Sequence, residues 1–117
     1  MSQRKPPPPR EQHSSRAVLW TERALNDLRA IGDYIAGDDP VAAERWVGLL
    51  IATAESAAAT PFAGRVVPEL RRDEVREVFR KAYRIVYRVR EQAIEILTVF
   101  EGHRRFPGGL LAGDEEP

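Results

Sequence analysis

The run VREVFRKAYRIVYRVREQAIEILTVF, residues 75–100, constrains the fold more than any other part of the chain. Tyr83, Ile85, Tyr87 and Val89 share one parity, and Arg84, Val86, Arg88 and Arg90 share the other. That is the period of two of a half-buried strand. Residues 94–100 are apolar with little alternation beyond Glu95, as in an inner strand covered on both faces. Three antiparallel strands joined by tight turns account for the pattern. The tyrosine–isoleucine face is the core face, so Tyr87→Asp is expected to unfold the domain at a cost of several kcal/mol. The arginine face is expected to lie open, with Arg88→Ala nearly neutral for stability.

What precedes this sheet is expected to cover one side of it. RAVLW, residues 16–20, reads as a first strand. Thr21 stands where a helix N-cap belongs, and Glu22 suits the positive end of the helix dipole. Leu25, Leu28, Ile31 and Ile35 then recur at helical spacing, flanked by Ala24 and Tyr34, until Gly37, a natural C′ residue. Asp39-Pro40 opens a second helix as N-cap and N1. Trp46, Leu49, Leu50, Thr53 and Ala57 make its expected buried face, and Pro61 ends it. The short Gly37-Asp38 link makes the two helices an antiparallel hairpin. In FAGRVVPEL, residues 62–70, a short extended piece precedes Pro68, which implies an edge or a bend. RRDE, residues 71–74, is a charged loop, and Gly102 and Pro107-Gly108-Gly109 end regular structure. The order is strand, two helices, then a three- to four-stranded antiparallel sheet, an α+β fold. Residues 1–15 read as a disordered proline-rich tail, 16–107 as the domain and 108–117 as a frayed acidic tail.

Composition narrows the function. The 117 residues suit one domain, and the absence of cysteine excludes disulfides and thiolate metal sites. No stretch reaches the ~20 apolar residues of a membrane span, and the basic, proline-rich start has no apolar signal region, so a soluble cytoplasmic protein is expected. No glycine-rich phosphate loop, HExxH or nucleophile elbow is present, and no three metal ligands cluster, so neither metal nor cofactor is implied. The zero net charge hides a split: three basic and seven acidic residues over 17–64, against eleven basic and seven acidic over 65–105. The second half therefore suits an acidic partner, unless its arginines merely solubilise a sheet face.

The order β-α-α-β-β-β, with GRVVPEL, REVF, YRIVYRV and ILTVFEGHRR, resembles the RelE/ParE superfamily of toxins from type II toxin–antitoxin modules. The segment Pro68-Glu69-Leu70, followed by Arg76-Glu77 and the YRIVYR strand, looks like the ParE branch. That resemblance implies neutralisation by a ParD-like antitoxin in a hetero-oligomer, and inhibition of DNA gyrase by binding rather than by catalysis. The RelE branch instead implies a metal-independent endonuclease that cuts mRNA on the ribosome. Such chemistry needs a proton acceptor, a leaving-group donor and cations beside the phosphate. Aligned on the YR motif, the branch's lysine positions hold Val75 and Glu77, Arg84 and Arg104 match its two arginines, and its C-terminal tyrosine has no counterpart. A variant using histidine and glutamate would draw on His103 and Glu77. The resemblance thus marks Arg84, His103, Arg104 and Glu77 as the set a ribonuclease would use. It marks Arg84, Arg88, Arg90, Arg104 and Arg105 as the set a target or antitoxin would meet.

Overall fold

The computed structural model describes residues 15–111, so the proline-rich tail over 1–14 and the acidic residues 112–117 lie outside the described residues. Strand β1 (Ala17–Trp20) leads into α1 (Glu22–Ala36) and α2 (Pro40–Ala57). A 3-10 turn (Pro61–Ala63) is followed by β2 (Arg65–Val66), β3 (Val75–Arg80), β4 (Tyr83–Val89) and β5 (Ala93–Glu101). The five strands form one sheet in the order β1-β5-β4-β3-β2. The β2–β3, β3–β4 and β4–β5 pairs are antiparallel. β1 pairs with β5 in parallel, Ala17 opposite Ala93 and Trp20 opposite Ile96, so the sheet is mixed and gains its fifth strand from the N-terminal end.

Local chemistry explains the helix ends. The Thr21 hydroxyl accepts from the Ala24 N–H at 3.1 Å and donates to the Ile96 carbonyl at 2.7 Å, so one side chain caps α1 and ties it to β5. Asp39 Oδ1 accepts from the N–H groups of Val41 and Ala42 and caps α2, with Pro40 at the first turn. Gly37 does follow α1, but at φ −58°, so the left-handed freedom of glycine is not used there.

The hairpin covers the face that the parity of β4 selects. Ile85, Tyr87 and Val89 pack with Ile94, Ile96 and Val99 of β5 against Ala24 and Leu28 of α1 and Leu50, Ala54 and Ala57 of α2. Trp46 packs at the margin of this core, and Tyr34 and Leu25, which flank or belong to the α1 stripe, are exposed. The β4–β5 register shifts between Val86–Thr98 and Tyr87–Ile96, which leaves Leu97 as a bulge. The bulge turns Leu97 to the opposite side of the sheet while Ile96 and Val99 stay on the helix side. This is why residues 94–100 show no clean alternation.

The second face is where expectation fails. It is not open: Val67, Val75, Val86, Leu97 and Leu111 form a second core, joined by Leu70, Phe100, Phe106 and Leu110. The segment after β5 folds back over the sheet, and Leu111 is only 3% exposed, so the packed domain runs past the boundary expected at residue 107. Arg84 and Arg88 are consequently 6% and 4% exposed, and a neutral Arg88→Ala no longer follows.

Candidate functional site

Arg84 sits on β4 opposite Phe100 of β5 and Phe79 of β3. Its Nε donates to Glu77 Oε1 at 2.7 Å, while Nη1 and Nη2 donate to the two oxygens of Glu69 at 3.0 and 2.8 Å. The other oxygen of Glu77 accepts from Arg65 Nε at 2.8 Å. Two guanidinium groups and two carboxylates thus alternate in one network with no net charge. The rings of Phe100 and Phe106 flank the Arg84 guanidinium at 5.2 and 5.3 Å. The hydrogen bonds from Arg84 hold the Glu69 carboxyl below its ordinary 4.5, against a smaller opposing effect of burial. The same bonds to Glu69 raise the Arg84 pKa.

The remaining candidates lie elsewhere. β5 ends at Glu101, and the Gly102 N–H donates to the Ala82 carbonyl at 2.6 Å, which ties the turn after β5 to the β3–β4 turn. His103 and Arg104 project from this turn with side chains 73% and 68% exposed. Arg104 Nε donates to Glu101 Oε1 at 3.1 Å, and His103 Nε2 lies 4.0 Å from the same oxygen. Arg105 is exposed, and Arg90, at the end of β4, donates to Glu95 Oε1 at 3.0 Å.

The structure therefore brings Glu77 and Arg84 together in the interior and His103 and Arg104 together on the surface. Among the described residues no hydrogen bond or ion pair joins the two groups. A ribonuclease base must reach a substrate hydroxyl, and the Glu77 side chain is wholly buried with both oxygens bonded to arginines. Sequence reasoning missed Glu69, Arg65 and Phe106 as partners of this network. The PEL segment contained Glu69, but nothing local shows that it folds onto β4. Among the described residues, no three histidine, cysteine, aspartate or glutamate side chains are grouped to hold a metal ion, and no helix is long and apolar enough to cross a membrane.

Beside the exposed turn, α1 and the ends of β4 and β5 enclose a cleft of about 270 Å³. Ile31 and Val99 line it, with Tyr34, Tyr83, Glu101 and Arg104. Tyr83 also stacks at a tilt on Trp46, with ring centroids 5.7 Å apart. Burial, and then the Glu101 charge, raise the Tyr83 phenol above its ordinary 10.0.

A family model described as the ParE toxin of type II toxin–antitoxin system, parDE, matches residues 18–106. The chain belongs to the ParE toxin family. This ParE-family toxin is 35% identical over 96 residues to Y4kP of Sinorhizobium fredii, which bears a toxin designation; the match covers 80% of this chain and 96% of that protein. It is 45% identical over 58 residues to Toxin RelE2 of Caulobacter vibrioides, a match to 50% of this chain and 66% of that one. Among solved structures, the chromosomal ParDE toxin–antitoxin system of P. aeruginosa matches with a TM-score of 0.63 at 24% identity, over 76% of this chain and 97% of that one. The RelBE2 toxin–antitoxin complex of Mycobacterium tuberculosis matches with a TM-score of 0.56 at 22% identity, over 74% and 91%. At such identities the two structures establish the α+β fold and no more.

Proposed function

We propose that this toxin acts by binding: a ParD-like antitoxin holds it inactive, and the released toxin occupies DNA gyrase. The observation that carries this reading is the burial of Arg84 and Glu77 within a neutral network completed by the more exposed Glu69 and Arg65. Arg84 and Glu77 are the residues an RNA-cleaving member would present to a phosphate and a 2′-hydroxyl, and here they hold each other beneath Phe100 and Phe106. A residual ribonuclease would have to work with His103, Arg104 and Glu101 in an exposed turn.

The antitoxin's seat is the outer side of the helical hairpin. Leu25, Gly32, Pro40, Val41 and Val47 line two adjoining shallow depressions there, and Leu25 and Val41 are 41% and 70% exposed. An amphipathic helix laid along this trough would cover those side chains. The sheet face, first expected to share this role, is already occupied by the chain's own C-terminal segment.

Purified toxin added to a gyrase supercoiling assay should inhibit it, and added antitoxin should restore it. Primer extension on cellular mRNA after induction should show no codon-linked cuts. Cuts lost in His103→Ala and Arg104→Ala, together with unimpaired supercoiling, would replace this reading with ribosome-dependent mRNA cleavage.

A further inference from the structure

The basic residues in the second half of the chain differ in what holds them. Arg65, Arg76, Arg84 and Arg90 bond to carboxylates or carbonyls of the chain itself and serve the fold. Of the rest, Arg71 is exposed elsewhere on the surface, as is Arg45 in the first half, while four residues with weaker ties to the chain cluster together. Lys81 and Arg105 are exposed and, among the described residues, make no ion pair, while His103 and Arg104 share the single Glu101 carboxylate. All four sit at one end of the sheet, because the bond from Gly102 to Ala82 joins the β3–β4 turn to the turn after β5.

Two further features of this end are unexplained by folding. Lys81 occupies the left-handed region at φ 54°, where glycine, asparagine or aspartate would be unstrained. The turn alone would favour glycine, so Lys81 puts a charge at the hairpin tip that the backbone does not require; Arg71, in the loop before β3, has the same φ of 54°. Tyr34, on α1, is 83% exposed beside the cleft that Tyr83 and Arg104 border. Exposed tyrosine and arginine around a small apolar recess are the composition of binding hot spots.

We infer that this cationic end is the surface that grips the toxin's cellular target, and that it takes an acidic protein segment carrying one bulky apolar side chain. The inference rests on the reading that the toxin acts by binding. The apolar anchor enters the cleft between Tyr34 and Tyr83, over Ile31 and Val99. Acidic residues on either side of it meet Lys81, Arg104 and Arg105. A protein suits the cleft better than a nucleic-acid backbone does, because Ile31, Val99 and the two tyrosine rings seat an apolar side chain, while the acidic residues flanking that anchor stay outside the recess, clear of Asp27 and Glu101.

The test uses full-length toxin and three variants, Tyr34→Ala, Lys81→Glu and Arg104→Glu/Arg105→Glu, with thermal unfolding as the fold control. Each variant should keep its Tm within about 3 °C of the parent, since the substitutions lie on the surface. Each should raise the toxin concentration that half-inhibits gyrase holoenzyme by about tenfold or more, and each should relieve growth arrest on induction. If the parent leaves gyrase untouched and the variants still relieve growth arrest, the surface stands and gyrase is the wrong target. Variants that inhibit gyrase and arrest growth at parental levels overturn the inference. So does binding of a fluorescent oligothymidylate by the parent that the same substitutions abolish, because the occupant is then nucleic acid.

Discussion

Arg84 shows how one side chain changes meaning with its surroundings. On the strand pattern alone it belongs to a solvated face, yet it is held by Glu69 and Glu77 and flanked by two phenylalanines. Arg84→Ala removes one of the two arginine partners of a wholly buried Glu77 side chain, Arg65 being the other, and should destabilise the protein by about 1.5–3 kcal/mol. Urea unfolding measures this, and a loss below about 1 kcal/mol would show the network to be no stronger than a surface pair. The network also sets a pH response. Because Arg84 depresses the folded-state pKa of Glu69, this contribution is complete above the ordinary 4.5 and is lost as pH falls through the lower folded value. Glu69 is 39% exposed, so the effect is partly screened. Melting temperatures taken from pH 7 down to pH 3 should fall, and Glu69→Gln should flatten that fall. Lys81 gives the opposite case: Lys81→Gly relieves the left-handed backbone and should raise stability by about 1 kcal/mol, or roughly 4–8 °C in Tm. A lower Tm would remove the strain on which its functional assignment partly depends.

At the scale of elements, the legible parts are those whose signals are local. Thr21 and Asp39 cap helices through bonds to N–H groups two or three residues away, and the strand parity of residues 83–89 is complete within one segment. The C-terminal segment was not legible, because Phe106, Leu110 and Leu111 follow neither a helical nor a strand period. The one available hint was a Leu-Leu pair beside Gly108-Gly109, and it reads as fraying until Leu111 is seen against Val67, Val75 and Val86. Removing residues 104–111 should expose that second core, each large side chain costing about 1.5–3 kcal/mol. The total rivals the ~5–15 kcal/mol that holds a domain folded. Dye binding to exposed apolar surface and gel filtration should report a collapsed or aggregated product. A truncated protein with the parental Tm would mean that the segment only rests on the sheet.

For the molecule as a whole, the sheet is a shared wall between two cores. β4 supplies Ile85 and Tyr87 to the helix side and Val86 to the other, and β5 divides Ile96 and Leu97 in the same way. Neither core can melt without disturbing strands that the other needs. Tryptophan fluorescence, which reports Trp20 and Trp46 on the helix side, should therefore unfold with the same midpoint as far-UV circular dichroism. Separate midpoints would mean that the C-terminal cover opens as an independent unit.

By itself the sequence determined the order of elements, the helical hairpin and which parity of β4 faces it. It also carried the motifs that mark a ParE-family toxin. Those properties follow from periodicity and capping, which act over a few residues. Only the tertiary structure decided what lies on the other face. An alternating strand states which side chains share a side, but not what covers them, and the neutralising partner of Arg84 comes from as far as Glu69, 15 residues away in the chain. The parallel seat of β1 on β5 and the meeting of the Lys81 and His103–Arg105 turns are of the same kind. Both depend on backbone hydrogen bonds between segments that carry no mark of each other.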